Sequence, residues 1–146
     1  MKRHVTLLGF LLLFAPGCTY NLVGADKAYH EVISGTLFVN PITGRGQVEA
    51  EGLISKVRCG GPASVNNSLR TVVSAEQTSG GVLLCANGRV INVSYSRSEQ
   101  GNIGVGKDQY GSVFDFAFGM SNEEANARVT EYLQRASLRA VPPKSQ

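Results

Sequence analysis

A tight-turn signal in the middle of the chain places the strongest constraint on its fold. The dipeptide Asn87-Gly88 stands between two short apolar segments, residues 82–86 and 89–96. An Asn-Gly pair tolerates the positive φ angles of a type I′ turn, whose twist matches that of two antiparallel strands. The second segment alternates in polarity, as a half-buried strand does, and one side of it carries Ile91, Val93 and Tyr95. The sequence therefore predicts a β-hairpin at the centre of the domain, with that side in the core.

Similar short segments occur on both sides of this hairpin. They are rich in apolar or β-branched residues, and the further predicted strands are residues 33–39, 47–54, 69–75, 101–107 and 112–118. Residues 41–46 and 108–111 have the composition of turns, and residues 60–68 that of a longer loop. These patterns predict a mainly β domain, either an antiparallel meander or a partly closed small barrel of about six or seven strands.

An amphipathic helix is predicted after the last strand. Ser121 and Glu124 have the spacing of a capping box, in which each side chain accepts a hydrogen bond from the backbone N–H of the other residue. The helix should run from Asn122 to Leu138, with an apolar face formed by Ala125, Val129, Tyr132, Leu133 and Ala136. We expect this face to cover the preceding strand, whose core side carries Phe114, Phe116 and Phe118. The alternative is a free helix that binds a membrane or a partner.

The N-terminus carries a targeting pattern. Lys2 and Arg3 precede an apolar run over residues 5–15, and Gly17-Cys18 follows. A basic head, a short apolar segment and small residues before a cut site are the layout of a secretory signal. The apolar run is too short to cross a bilayer, which needs about 20 residues.

With a cysteine at the cut site, this segment resembles a bacterial lipoprotein signal. The resemblance implies that residues 1–17 are removed as a signal peptide and that Cys18, acylated with palmitate or similar chains, becomes the first residue of the mature chain. Thr19 rather than Asp follows the cysteine, which in such lipoproteins favours the outer membrane. We therefore expect a lipid-anchored protein of the bacterial cell envelope that faces the periplasm. Ordinary secretion and an uncleaved anchor are the alternatives.

The rest of the chain has the size of a single domain. Residues 18–31 show no sustained period and are predicted to be the lipidated N-terminus and a tether, residues 32–139 the domain, and residues 140–146 a loose tail. Without the two basic residues of the signal, 12 of the 14 Lys and Arg residues remain against 11 Asp and Glu residues. This near balance, without a basic patch interleaved with aromatic residues, gives no indication of nucleic-acid binding.

Two cysteines remain once Cys18 is assigned to the lipid. In an exported chain, Cys59 and Cys85 are expected to form a disulfide. A metal site or a cysteine nucleophile would need a histidine nearby, and the mature chain offers only His30, which we expect to be solvated. The sequence thus predicts neither a metal site nor a cofactor.

The sequence contains no evident catalytic group. Asp108 and Asp115 flank a predicted turn, where carboxylates are usually solvated rather than paired for acid-base chemistry. The glycines of residues 101–106 lack the spacing of nucleotide-binding loops, and no helix follows them directly. The sequence therefore predicts a protein that is not an enzyme.

The central hairpin also resembles a known family. Residues 85–95, Cys-Ala-Asn-Gly-Arg-Val-Ile-Asn-Val-Ser-Tyr, are similar to a hairpin of the membrane-bound inhibitors of c-type lysozyme. Those inhibitors are small, disulfide-bonded bacterial lipoproteins. The resemblance implies lysozyme inhibition as an alternative function.

Taken together, these features favour a non-enzymatic accessory or interaction module. Its N-terminal lipid would hold it at a membrane, and its partner would be an envelope protein that the sequence does not identify. A lysozyme-type inhibitor, the first alternative, needs a protruding polar loop such as residues 60–68. A carrier of a small apolar ligand, the second, needs a barrel interior that the phenylalanines at 114, 116 and 118 leave unfilled.

Overall fold

A computed structural model of the protein describes residues 17–64, 79–98 and 101–140. Within these ranges the chain forms eight strands and one helix, which are β1 (Cys18–Asp26), β2 (Val32–Val39), β3 (Arg45–Gly52), β4 (Arg58–Ser64), β5 (Ser79–Cys85), β6 (Val90–Ser98), β7 (Gly101–Asp108), β8 (Val113–Met120) and α1 (Asn122–Ala140). Each strand pairs antiparallel with the next, and β1 also pairs with β8. The mainly antiparallel β fold with a C-terminal helix is thus confirmed, whereas the predicted six or seven strands and partial closure are wrong. The strand predicted over residues 69–75 lies outside the described residues.

The connections lie alternately at two ends of the barrel. One end, which we call the Cys18 end, holds the start of β1, the β2–β3 turn at residues 40–44 and the end of β8. The opposite end, which we call the far end, holds the turns at residues 27–31, 53–57, 86–89 and 109–112. Each of these described turns therefore belongs to one of two surfaces on opposite sides of the molecule.

The segment predicted to be a tether is instead the strand that closes the barrel. Residues 18–26 form β1, so the domain does not begin at residue 32 as predicted. Leu22 faces the barrel interior. Val23 and Ala25 point to the outer side of the barrel and are buried there, because α1 packs on β1 and β2. Because this strand is buried on both faces, it has no alternation of apolar and polar residues to reveal it.

The segment predicted to be a loop at residues 60–68 also contains a strand. Gly60, Gly61 and Pro62 are poor strand formers, yet they lie in β4 between β3 and β5. A closed barrel has no free edge, so each strand has a neighbour on both sides whatever its intrinsic propensity. Residues 65–68 of the predicted loop lie outside the described part of the chain.

Aromatic side chains fill the interior, as predicted from the face shared by Phe114, Phe116 and Phe118. Phe114 is fully buried, Phe116 is buried, and Phe118 packs against this core. Phe116 fits because glycines on both neighbouring strands leave room for its ring. A Cβ atom added at Gly24 of β1 would overlap the Phe116 ring, and one added at Gly106 of β7 would lie 2.7 Å from it. The predicted core face of β6 is confirmed as well, with Ile91 and Tyr95 buried.

The central hairpin is present, but its turn differs from the prediction. A type I′ turn needs positive φ at both Asn87 and Gly88, and only Gly88 has it, at 83°. The N–H of Gly88 donates to the Cys85 carbonyl (2.9 Å), and the N–H of Cys85 donates to the Arg89 carbonyl (2.8 Å). The loop is therefore one residue longer than predicted, because it includes Ala86 as well as Asn87 and Gly88. Gly88 is the last residue of the loop and has the positive φ angle.

The capping box of α1 is confirmed. The N–H of Glu124 donates to Ser121 Oγ (3.2 Å), and the N–H of Ser121 donates to Glu124 Oε2 (3.0 Å). The helix packs mainly on β1 and β2 rather than on the phenylalanine strand β8. Of its predicted apolar face, Ala125 is buried, but Leu133 is 36% exposed. The outer side of β1 offers Val23 and Ala25, a small apolar surface suited to a helix, whereas the outer side of β8 carries an exposed aspartate.

Candidate functional site

Cys18, the predicted site of acylation, lies at the rim of the barrel. It is exposed and is the first residue of β1, where its Cα pairs with that of Val39. No flexible segment separates this cysteine from the folded domain. A lipid on Cys18 would therefore hold the Cys18 end of the barrel directly at the membrane.

Apolar side chains project from the same end. In the β2–β3 turn Ile42 is 82% exposed, and on the neighbouring outer face Phe38 is 46% exposed. The turn is ordered by Asn40, whose Oδ1 accepts the N–H groups of Ile42 (2.9 Å) and Thr43 (3.1 Å). The N–H of Gly44 donates to the Asn40 carbonyl (2.9 Å). A defined turn thus holds the Ile42 side chain exposed at the surface, a feature not among the predictions from sequence.

The predicted disulfide between Cys59 and Cys85 is present, near the far end. The two cysteines stand directly opposite each other on β4 and β5. Their strands pair poorly beyond it, since the described ladder has no Cα pair at Gly61 or Pro62, and proline has no N–H to donate. The disulfide therefore ties the two strands together beside the weakest part of their pairing.

Buried carboxylates order the turns of the far end. They belong to Asp26, Glu31 and Asp108. Asp26 Oδ1 accepts the N–H groups of His30 (2.6 Å) and Glu31 (3.3 Å). The two oxygens of Glu31 accept the N–H groups of Ile54 (3.0 Å) and Ser55 (3.3 Å), which belong to the neighbouring turn. These carboxylates are occupied by backbone donors, which makes them structural groups rather than an acid-base pair.

Asp108 has the same structural role. Its Oδ1 accepts the N–H groups of Tyr110 (2.9 Å) and Ser112 (2.8 Å), while its Oδ2 accepts no hydrogen bond and lies 3.3 Å from Nε of Arg89. Asp115 is exposed on the outside of β8, between two residues that face inward. The two aspartates considered in the sequence analysis are therefore not brought together, and Asp108 is buried rather than solvated as expected.

His30 and its neighbour Tyr29 lie at the edge of the far end. The imidazole of His30 is 83% exposed, as predicted, with Nδ1 3.4 Å from Asp26 Oδ2. Tyr29 contacts α1, since its hydroxyl accepts a hydrogen bond from Arg135 (2.8 Å) and the Arg139 guanidinium lies 5.3 Å from its ring centre. This cluster fastens the second half of the helix to the β1–β2 turn, a long-range contact that local sequence patterns do not encode.

No group of three or more His, Cys, Asp or Glu side chains in the described residues is arranged to hold a metal ion. Within the same ranges, no helix combines the length and the apolar character needed to cross a membrane.

The barrel interior leaves little free space. A cavity of about 20 Å³ lies among apolar side chains that include Leu22, Leu83 and Phe116. A volume of this size is about that of one water molecule, whereas pockets for small ligands measure about 300 Å³ or more. This cavity therefore has no room for the apolar ligand that the carrier alternative requires.

Tyr95 borders this cavity and has a perturbed acidity. Its hydroxyl donates to the Ser64 carbonyl (2.6 Å), and its ring meets Phe118 edge to face at 5.0 Å. Burial disfavours the tyrosinate and raises the pKa of Tyr95 to about 12 from its ordinary value of 10.0. Between these two pH values the unfolded chain loses a proton that the folded protein keeps, so stability should fall as the pH rises.

We expect the substitution Tyr95→Phe to remove one step of tyrosinate absorbance near pH 12. An ultraviolet titration of the wild type and of this variant measures the difference directly. The variant should also lose less stability than the wild type as the pH rises from 10 to 12, because its position 95 cannot ionise. A difference step centred near pH 10 instead would show that Tyr95 is solvated.

Comparisons with known proteins add information about the fold alone. No family model matches the chain, and no curated protein matches it. Among solved structures, the chain is similar to a de novo designed fluorescence-activating β-barrel, with a TM-score of 0.50 and 12% sequence identity over 70% of this chain and 91% of that chain. This likeness agrees with a small closed barrel.

Proposed function

We propose that this protein is a lipid-anchored, non-enzymatic module of the bacterial cell envelope. The observation that supports the proposal most is the position of Cys18, because the cysteine of the signal-like segment is exposed at the rim where β1 begins. An acylating enzyme needs such an accessible thiol. After acylation and removal of residues 1–17, the barrel would stand on the membrane by its Cys18 end, with Thr19 favouring the outer membrane and the periplasmic side.

The filled interior supports binding through the surface rather than within the barrel. A rigid closed barrel of this kind presents its far end and its outer face to other molecules. We propose an envelope protein as the partner, since a lipid anchor confines the search for a partner to the membrane surface. The near balance of basic and acidic residues in the sequence gives no reason to propose nucleic acid instead.

The lysozyme-type inhibitor gains no support from the geometry. The protruding polar loop considered for inhibition began at residue 60, and residues 60–64 are part of β4. The hairpin that resembles the inhibitor family is present as β5 and β6, but a hairpin of this kind occurs in many β-proteins.

The lipid anchor can be tested by intact mass spectrometry of the protein purified from membranes. We expect a chain that begins at Cys18 and carries added acyl mass on that residue. The variant Cys18→Ser should lack the acyl mass. A wild-type protein without acyl groups on Cys18 would overturn the proposal.

A further inference from the structure

Ile42 is the most exposed of the large apolar side chains in the described part of the chain. We propose that the β2–β3 turn enters the bilayer interface beside the lipid anchor, with Ile42 as the inserted side chain. This inference rests on the proposed lipid anchor and adds a second contact between the domain and the membrane, which fixes the orientation of the barrel.

The register of the strands places Ile42 beyond the anchor. Cys18 is level with Val39, and the turn continues from there along the same direction. At about 3.3 Å per residue, three residues carry Ile42 up to about 10 Å past Cys18. Interfacial protein segments bury their apolar side chains to a similar depth of about 5 to 10 Å. A barrel held at Cys18 would therefore bring Ile42 into the interface.

The composition of the turn suits this environment. Pro41, Ile42 and Thr43 carry no charge, and Asn40 satisfies the N–H groups of the latter two within the turn. Insertion therefore does not have to strip these backbone donors of water. The half-exposed ring of Phe38 continues the apolar surface from the turn onto the outer wall.

The membrane is the surface expected to contact the β2–β3 turn, because the N-terminal segment joins the domain at the same end of the barrel. The apolar run over residues 5–15 ends just before Cys18 in sequence. An acyl chain on Cys18 and an uncleaved apolar segment would both approach the bilayer from this end of the barrel. A protein partner at the turn would instead compete with the anchoring membrane for the same surface.

The inference can be tested with tryptophan fluorescence, because the chain contains no tryptophan. The variant Ile42→Trp gives the lipidated protein a single reporter in the turn. Tyr110→Trp is the matched control, since Tyr110 is 74% exposed in a turn at the far end. Both proteins would be placed in vesicles of phosphatidylethanolamine and phosphatidylglycerol, with and without brominated lipid.

We expect the emission of the Ile42→Trp protein to shift to shorter wavelength on the vesicles and to be quenched several-fold more strongly than that of the control. Equal quenching at both positions, or a water-like spectrum at position 42, would overturn the inference. Either result would be expected if the turn binds a protein partner instead of the membrane. The intact mass of the same samples separates the two proposals. Acylated protein with an unquenched position 42 contradicts the insertion alone, whereas protein without acyl mass contradicts the anchor and the insertion together.

Discussion

Replacing Phe114 by alanine should lower the free energy of unfolding by about 3 to 5 kcal/mol. The ring is fully buried inside the barrel, where it stacks on Phe116 with 6.1 Å between ring centres. The guanidinium of Arg89 lies 5.8 Å from the centre of the same ring. Strands bonded on both sides cannot move inward to refill the space, so the truncation should leave a cavity. Chemical denaturation of the Cys18→Ser protein, which would lack the lipid, measures the loss.

Phe38→Ala is the matched control, since it removes the same group from the outer wall. Phe38 is 46% exposed, so its truncation should cost about 1 kcal/mol or less. If the two variants lost similar amounts of stability, the interior would not be packed around Phe114. Such a result would reopen the carrier alternative, because a loosely filled barrel could admit an apolar ligand.

Local patterns predicted those strands that have one wet face and one buried face. The alternation over residues 89–96 and the phenylalanine face over residues 112–118 both correspond to strands with the expected orientation. The sequence did not reveal β1 because the helix covers its outer face, so this strand lacks a polar side. It did not reveal β4 because glycine and proline are poor strand formers, and this segment is a strand because the closed barrel gives it a neighbour on each side. Both are consequences of tertiary structure, which no local window contains.

The candidate site was predictable to a similar extent. The disulfide between Cys59 and Cys85 followed from counting the cysteines of a chain expected to be exported, whereas the acylation of Cys18 stays a prediction. The exposed Ile42 did have a local signal, since an isoleucine stands between proline and glycine in a segment with turn composition, where polar residues are usual. Its meaning depends on the register of β1 with β2, which places the turn beside Cys18.

Removing the disulfide should lower the free energy of unfolding by about 3 to 4 kcal/mol. Cys59 and Cys85 are 26 positions apart, and in the chain-entropy model their bond restricts the unfolded chain by about this amount. In the folded barrel the bond also lies beside Gly61 and Pro62, where the described β4–β5 ladder lacks pairs. We therefore expect the paired variant Cys59→Ala with Cys85→Ala to remain folded but to exchange the amide hydrogens of β4 and β5 faster than those of β7 and β8.

Two measurements separate the contributions of the disulfide. Denaturation of the wild-type domain with and without reductant gives the total loss, and hydrogen exchange shows where the barrel opens. A uniform increase in exchange over all strands would show that the disulfide stabilises the protein only by restricting the unfolded chain, because global unfolding exposes every strand alike. Faster exchange confined to β4 and β5 would identify their junction as the site of local opening. Alkylation of both thiols in protein taken unreduced from the cell envelope would instead show that the bond is absent there. The barrel would then depend on β1 and its covering helix, rather than on a covalent link, to stay closed.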